Sequence, residues 1–307
     1  MRLSIVIVSW NTCDLLVHCL ESVTVDAALL SCPDVEILVV DNASTDGTVE
    51  AVRRQFPRVC IIENSHNVGF AQANNQGIGQ SQGSYVLLLN PDTEVKPGTL
   101  QTLLDFMEAE PQIGLVGAQL LNADGSLQTS CYPAPTLLRE LWRLFHLDSL
   151  RPYGTYRMAD WNRTQPREVE ALLGACLFIR RQVLDEVGLL DEGYFMYSEE
   201  IDLCYRVGQA GWPIYWVPQA QIVHYGGQST QQVPTKMFLH LYGSKLRYFR
   251  KHYGRSSALA YKFIILAAAL VRLILTPLAL LEQSTKRRRH LHLAGNYGRL
   301  ILALPGM

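Results

Sequence analysis

Neither sign of charge dominates this chain. Its 307 residues carry 27 lysines and arginines against 28 aspartates and glutamates, a net charge of −1. No global basic field therefore argues for nucleic acid as a partner. Charged residues are only 18% and hydrophobic ones 48%, a globular balance in a chain long enough for one large domain or a domain with an appendage. The seven cysteines (13, 19, 32, 60, 131, 176 and 204) are odd in number and never spaced CxxC. That pattern fits neither a disulfide framework nor a zinc site and reads as reduced cytosolic thiols. A secretory leader is not expected either: Met1-Arg2 runs straight into a strand, and Asn11 and Asp14 soon interrupt the apolar run. Also missing are the GxGxxG turn of dinucleotide enzymes, the GxxxxGK[ST] phosphate loop and the GxSxG elbow of serine hydrolases.

What is present is an alternation of strand-like and helix-like segments. LSIVIVSW (3–10) is a continuous β-branched run of the kind buried in parallel sheets. Thr12 is placed to cap a helix whose Leu15, Leu16, Cys19, Leu20 and Val23 share a face. VEILVVDN (35–42), a helix over 46–56, VCIIEN (59–64), a helix over 70–80, SYVLLLN (84–90), a helix after Pro97 and IGLVGAQLL (113–121) follow. Repeated β-α units predict an α/β fold with a doubly wound, mostly parallel, Rossmann-like sheet. Ligands bind such sheets beyond the carboxyl ends of the strands. Ser9-Trp10-Asn11, Asp41 to Ser44, Asn64 to Asn67 and Asn90-Pro91-Asp92 each follow an apolar strand. One such ending is an ordinary turn, but several on one edge predict a binding site.

Residues 122–167, with Pro133, Pro135, Pro152 and Pro166, read as a variable, acceptor-side insertion or mobile loop. Order returns with EVEALLGACLFIRR (168–181) and the acidic 188–206 stretch. PIYWVPQAQIVHYGG (213–227) reads as a strand pair or one bent strand, and a helix is expected from Pro234 to His252. FIILAAALVRLILTPLALL (263–281) is almost wholly apolar, with KRRR (286–289) after it. As a helix it reaches roughly 28 Å, close to a bilayer core. Arg272 at its centre, Pro277, and the shared face of Arg272, Thr276 and Gln283 favour an amphipathic helix lying in the membrane interface, its basic run on anionic headgroups. The expected organisation is thus a catalytic domain over 1–255 and a membrane-association region over 256–307; a plain buried helix is the alternative.

Several acidic stations carry candidate chemistry. Asp41 has nearer helix-capping neighbours in Ser44, Thr45 and Asp46, which leaves it free to accept from a ligand N–H. Asp92, fixed behind Pro91 at a strand tip, suits Mg²⁺ or Mn²⁺. Glu199, Glu200 and Asp202 could simply favour a helix N-terminus. Beside Tyr194, Phe195, Met196 and Tyr197, however, a carboxylate of raised pKa could act as a general base. His224 precedes Gly226, Gly227 and Ser229, a turn able to approach phosphates or a metal.

SIVIVSWN, VVDNASTDGT, ENSHNVGFAQANNQGI, LLLNPDTEV, GACLFIRR, FMYSEEIDLCYR and IVHYGGQST, in this order over residues 1 to 252, together resemble the inverting GT-A glycosyltransferases of family 2. The likeness is strongest to the rhamnosyltransferase-type branch that extends bacterial surface glycans. The resemblance implies that Asp41 binds the nucleobase, with Ser9 and Asn11 lining the nucleotide pocket and Asn67 and Gly69 contacting the nucleoside and sugar. Asn90-Pro91-Asp92 stands at the family's DxD position with only its last acid retained, so Asp92 becomes the carboxylate ligand of Mg²⁺ or Mn²⁺ and Asn90 a lesser contact. His224 becomes the second metal ligand or a diphosphate contact, and Gly174 borders the acceptor. The catalytic base falls on Glu200, where the family more often has Asp, with Glu199 as the alternative. The implied partners are a dTDP- or UDP-sugar, with rhamnose first among the sugars, a lipid-linked glycan acceptor and the cytoplasmic face of the cell membrane. Asn90 and Glu200 also sustain a non-catalytic alternative, a membrane-tethered scaffold that binds nucleotide-sugar without turnover.

Overall fold

The computed structural model describes residues 2–31, 34–228, 232–277 and 284–307. Cys32, Ser229, residues 278–281 and Gln283 lie outside the described residues, as do the side chains of Lys286 and Arg289 in the basic run. The chain forms two compact units. The first holds Met1–Ala134, Tyr156–Phe195 and Glu199–Gln232, and the second Pro135–Thr155, Met196–Ser198 and Val233–Met307.

In the first unit the apolar runs become strands because their β-branched side chains can be buried on both faces of a sheet. In chain order come β1 (Leu3–Ser9), α1 (Cys13–Ala28), β2 (Val35–Asp41), α2 (Thr48–Gln55), β3 (Cys60–Glu63), α3 (Phe70–Gln80), β4 (Tyr85–Leu89), β5 (Thr93–Val95), α4 (Thr99–Ala109) and β6 (Leu115–Leu121). There follow β7 (Cys131–Tyr132), then in the second unit α5 (Leu137–Leu144), then β8 (Arg167–Glu168), β9 (Ala171–Leu172), β10 (Cys176–Arg180), α6 (Arg181–Val187), α7 (Glu199–Gln209) and β11 (Ile214–His224). The main sheet runs β3-β2-β1-β4-β10-β6-β11-β5, with β8 on β11. It is parallel except for β10, β5 and β8. Alternate residues of β1 serve opposite faces: Leu3, Ile5 and Ile7 pack with residues of α1, α2 and α4, while Val6 and Val8 pack with those of α3, α6 and α7.

The 213–227 stretch is one strand, β11, whose register against β6 shifts between Val217 and Gln221. Thr12 does not cap α1 with its side chain. Its hydroxyl pairs instead with Ser9 Oγ at 3.0 Å, which fastens the β1 tip to the helix start. Within 122–167, Trp161 stacks edge-on against the buried Trp216 with ring centroids 5.4 Å apart.

The second unit is helical, built from α5, α8 (Pro234–Leu275) and α9 (Ser284–Ala303). Thr136 caps α5 by accepting from Arg139 N. The helix expected over 234–252 continues to Leu275, with its one non-helical residue at Gly254 (φ +85°). Inside, Glu140 accepts both contacts of Lys245 Nζ at 2.9 Å, the Tyr261 hydroxyl at 2.9 Å and Arg143 at 2.8 Å. Arg272 donates to the carbonyls of Ala268 and Leu144 and lies over the Tyr297 ring. The exposed side of α8 carries Leu259, Phe263, Leu270 and Ile274. Among the described residues α8 is the one helix long and apolar enough to cross a membrane.

Candidate active site

The β2 tip places Asp41 almost wholly out of solvent, 2% exposed. Its Oδ2 accepts from Ser44 N at 2.9 Å, while Oδ1 is buried and meets no hydrogen-bond partner among the described residues. A buried carboxylate oxygen without a donor is costly, which makes this atom a candidate acceptor for a ligand N–H. Ser9 and Asn11 are placed differently. Ser9 is fully buried with its hydroxyl on Thr12. Asn11, at φ +49°, accepts from Thr45 N on its Oδ1 at 2.8 Å and donates its backbone N–H to Ser44 Oγ at 2.9 Å. Both brace the loops around Asp41.

Asn67 acts locally as well: its Oδ1 accepts from Gly69 N at 3.0 Å. Gly69 has φ +92°, and a Cβ there would stand 2.6 Å from Phe195 O. Only glycine allows that approach; Phe70 N then donates to the same carbonyl at 2.8 Å. Asn75 draws in the same loop by exchanging hydrogen bonds with Leu190 N and O. Sequence reasoning missed Phe195 as a backbone acceptor and Asn75 as a brace, since neither contact leaves a local signal.

Asn90-Pro91-Asp92 bridges β4 and β5, and Thr93 Oγ1 closes the turn onto Asn90 O at 2.7 Å. The β5–β11 ladder pairs Thr93 with His224, and Tyr225 N donates to Asp92 O at 2.9 Å. Backbone pairing thereby holds Asp92 Oδ1 3.3 Å from His224 Nε2, with Asn90 Nδ2 also 3.3 Å from that nitrogen. His224 Nδ1 lies 2.7 Å from Gln128 Oε1, so Nδ1 donates and Nε2 is the nitrogen turned to Asp92. Nε2 and a carboxylate oxygen at that distance can share a cation, a proton as readily as a metal ion. Among the described residues no group of three His, Cys, Asp or Glu could hold a metal. Two protein ligands nevertheless fit Mg²⁺ or Mn²⁺, which takes its other positions from water and substrate phosphates. Gln128 was invisible to sequence reasoning inside the segment read as an insertion.

On the other side of the Asn90 turn, Asn90 N donates to Ala175 O at 3.1 Å. Next to it, a Cβ on Gly174 would touch Glu200 Cβ at 3.5 Å. The α7 acids separate by environment. Glu200 is half-buried. Glu199 is 3% exposed, and burial first, then the charge of Glu200, pushes its carboxyl well above the usual range. Asp202 is structural, accepting from Tyr194 Oη and from Arg206 Nε at 2.8 Å. Arg206 also donates to the carbonyls of Val187, Gly188 and Leu189. Burial pushes the thiols of Cys19, Cys131, Cys176 and Cys204 up to about 12, so these act as apolar packing rather than as nucleophiles.

Residues 4–188, more than half the chain, match the family model for glycosyl transferase family 2. Over 213 residues the chain is 34% identical to N-acetylglucosaminyl-diphospho-decaprenol L-rhamnosyltransferase of Mycobacterium tuberculosis, covering 65% of this chain and 69% of that protein. It is 26% identical over 204 residues to the rhamnosyltransferase WbbL of Escherichia coli, covering 60% of this chain and 70% of that one. Among solved structures, the mannosyltransferase PcManGT of Pyrobaculum calidifontis, in complex with GDP-Man and Mn²⁺, superposes with a TM-score of 0.58 at 16% identity, over 99% of this chain and 86% of that one. GalNAc-T7 with UDP, GalNAc and Mn²⁺ superposes with a TM-score of 0.53 at 19% identity over 73% of this chain, which spans only 44% of that protein's length. At such identities the structural likeness speaks for the fold, a GT-A sheet, and the family match for the activity. The chain belongs to glycosyl transferase family 2, as a rhamnosyltransferase-like GT-A glycosyltransferase.

Proposed function

We propose that this chain is an inverting, divalent-metal-dependent transferase. It moves rhamnose from a dTDP- or UDP-sugar to a lipid-linked glycan acceptor at the cytoplasmic face of a membrane. The observation that carries the reading is the facing of Asp92 Oδ1 and His224 Nε2 at 3.3 Å at the tips of adjacent strands. The acceptor class is supported by the decaprenol-linked substrate in the name of the M. tuberculosis relative and by the exposed apolar side of α8. In this division of labour residues 1–255 carry the chemistry. Residues 256–307 lie in the membrane interface, with Arg272 turned inward and the apolar stripe outward.

The open oxygen of Asp41 accepts the ring N–H of the pyrimidine, and Ser9, Asn11, Asn67 and Gly69 hold the surrounding loops in register. Asp92 and His224 would hold Mg²⁺ or Mn²⁺, which when bound neutralises charge on the diphosphate leaving group. Asn90 flanks that pair. Glu200, beside Gly174 where the acceptor enters, takes the proton of the acceptor hydroxyl as its oxygen attacks the anomeric carbon. Attack from the face opposite the diphosphate inverts the configuration in a single displacement. Glu199 is buried, and its carboxyl is pushed well above the usual range, by burial first and then by the charge of Glu200. The half-buried Glu200 is therefore the acid placed to act as base.

A thermal-shift and turnover screen against nucleotide-sugars, with Mn²⁺, with Mg²⁺ and with chelator, tests this reading. One donor should stabilise the protein and be consumed only with metal present. Stabilisation without turnover for every donor and acceptor would leave a binding scaffold, and turnover undiminished by chelator would remove the metal.

A further inference from the structure

We infer that Gln128 is a positioning residue for the transfer reaction, one that sets which nitrogen of His224 is offered at the donor diphosphate. The inference rests on the reading of Asp92 and His224 as the cation-holding pair. Its basis is a chain of hydrogen bonds that makes Nδ1 the donor and turns Nε2 to Asp92. Gln128 Nε2 is 3.0 Å from the backbone carbonyl of His224 and 2.9 Å from Asn122 Oδ1. The carbonyl can only accept, so this end of the amide must be the NH₂ group. The orientation of Asn122 is fixed in turn, since its Nδ2 faces Ser126 Oγ at 2.9 Å and the carbonyl of Leu127. Gln128 Oε1 is therefore an acceptor, 2.7 Å from His224 Nδ1, and Nδ1 must carry the hydrogen. Nε2 is then the nitrogen that faces Asp92 Oδ1 and, in the neutral ring, the one that carries the lone pair.

The backbone holds the glutamine as firmly as the side chains do. Gln128 N donates to Leu120 O at 2.9 Å, and the turn from Asn122 to Ser126 is closed by Asn122 N on Ser126 O at 2.8 Å. A hairpin leaving β6 thus delivers one amide that clamps His224 at its ring and at its carbonyl. An acceptor on the distal nitrogen of a ligating histidine fixes ring orientation and raises its basicity, and removing such a partner lowers metal affinity about 10- to 100-fold.

The test is Mn²⁺ binding to the full chain in the presence of UDP or dTDP, followed by EPR. It compares the wild type with Gln128→Met, which has neither acceptor nor donor, with Gln128→Glu, which keeps the acceptor, and with His224→Ala. Gln128→Met should weaken Mn²⁺ binding by about 10- to 100-fold, and Gln128→Glu should restore it close to the wild type. Wild-type affinity in Gln128→Met, or equal loss in both glutamine variants, overturns the inference. If the wild type binds no Mn²⁺, or His224→Ala binds it unchanged, the metal-pair reading fails instead. ¹⁵N shifts of the metal-free His224 ring at neutral pH, assigned by its loss in His224→Ala, decide Gln128 independently and without any variant of it. A protonated Nδ1 with a bare Nε2 upholds the clamp, and a protonated Nε2 with a bare Nδ1 overturns it.

Discussion

Buried carboxylates are handled in opposite ways at Glu140 of the helical unit and at the strand tips of the sheet unit. In the helical unit every oxygen of Glu140 has partners: Lys245, Arg143 and the Tyr261 hydroxyl converge on it. Arg272 likewise finds carbonyls and a ring. In the sheet unit, Asp41 Oδ1 and Glu199 Oε2 are buried without a hydrogen-bond partner among the described residues, and Asp92 faces Nε2 of His224 at 3.3 Å. Satisfied networks specify packing, whereas unsatisfied groups held against their cost mark places where a ligand completes the structure. The strand tips therefore read as a site and the Glu140 network as architecture.

If that contrast is sound, removing a carboxylate should harm activity in one unit and stability in the other. The largest effect is expected at Asp92. Asp92→Ala should cut turnover by about 10³-fold, the scale of losing one preorganised electrostatic contact in a transferring site. Its unfolding midpoint should stay near that of the wild type, because Asp92 sits at a sheet edge and its backbone carbonyl keeps the Tyr225 hydrogen bond. Turnover and thermal unfolding measured on the same preparation check this; an active Asp92→Ala protein would sink the metal assignment.

Glu140 should behave in reverse. Glu140→Gln strands Lys245, which is nearly buried, and a buried pair broken from one side costs about 3–5 kcal/mol. Replacing both partners, Glu140→Leu with Lys245→Met, should recover part of that loss, because the buried ammonium is gone while Arg143 and the Tyr261 hydroxyl still lose their acceptor. Chemical denaturation of the single and double variants measures the difference. A single variant as stable as the wild type would mean that the network is not holding the helices.

Much of this contrast cannot be read from sequence, for reasons that differ from element to element. The strands β1, β2, β4 and β6 and the helix α3 were legible, since each is a local pattern of apolar spacing closed by polar or glycine residues. The insertion of β10 between β4 and β6 was not, because an apolar run such as CLFIR carries no mark of its partner or direction. Thr12 looked like a cap by position, yet tertiary contact with Ser9 took its hydroxyl. Asp92 and His224 were legible as candidates one at a time. Their approach depends on the β5–β11 register, a pairing across more than a hundred residues of chain. Gln128 and Asn75 escaped for a simpler reason: an amide that binds backbone has the same composition in any loop. Gly69 was assigned a ligand contact, while the structure also requires it for the approach of Phe195.

The smallest expected effect lies at Glu199 and tests the division between the two acids. Burial and the neighbouring Glu200 raise its native pKa well above the reference of 4.5. The native state therefore holds this proton more tightly than the unfolded chain does. The stability associated with it is complete below the unfolded value and is lost as pH rises through the native one. Glutamine cannot ionise, so Glu199→Gln should show a flatter fall of unfolding midpoint with pH above 4.5 than the wild type, and the difference between the two curves isolates this group from the other carboxyls. Turnover should change little in Glu199→Gln and fall by about 10²-fold in Glu200→Gln, the lower end of the range for removing a general base. The reverse pattern of turnover would move the base to Glu199. Parallel stability curves in wild type and variant would mean that the buried acid is ionised in the folded protein, and that the open oxygen beside it is balanced by a charge the fold brings from elsewhere.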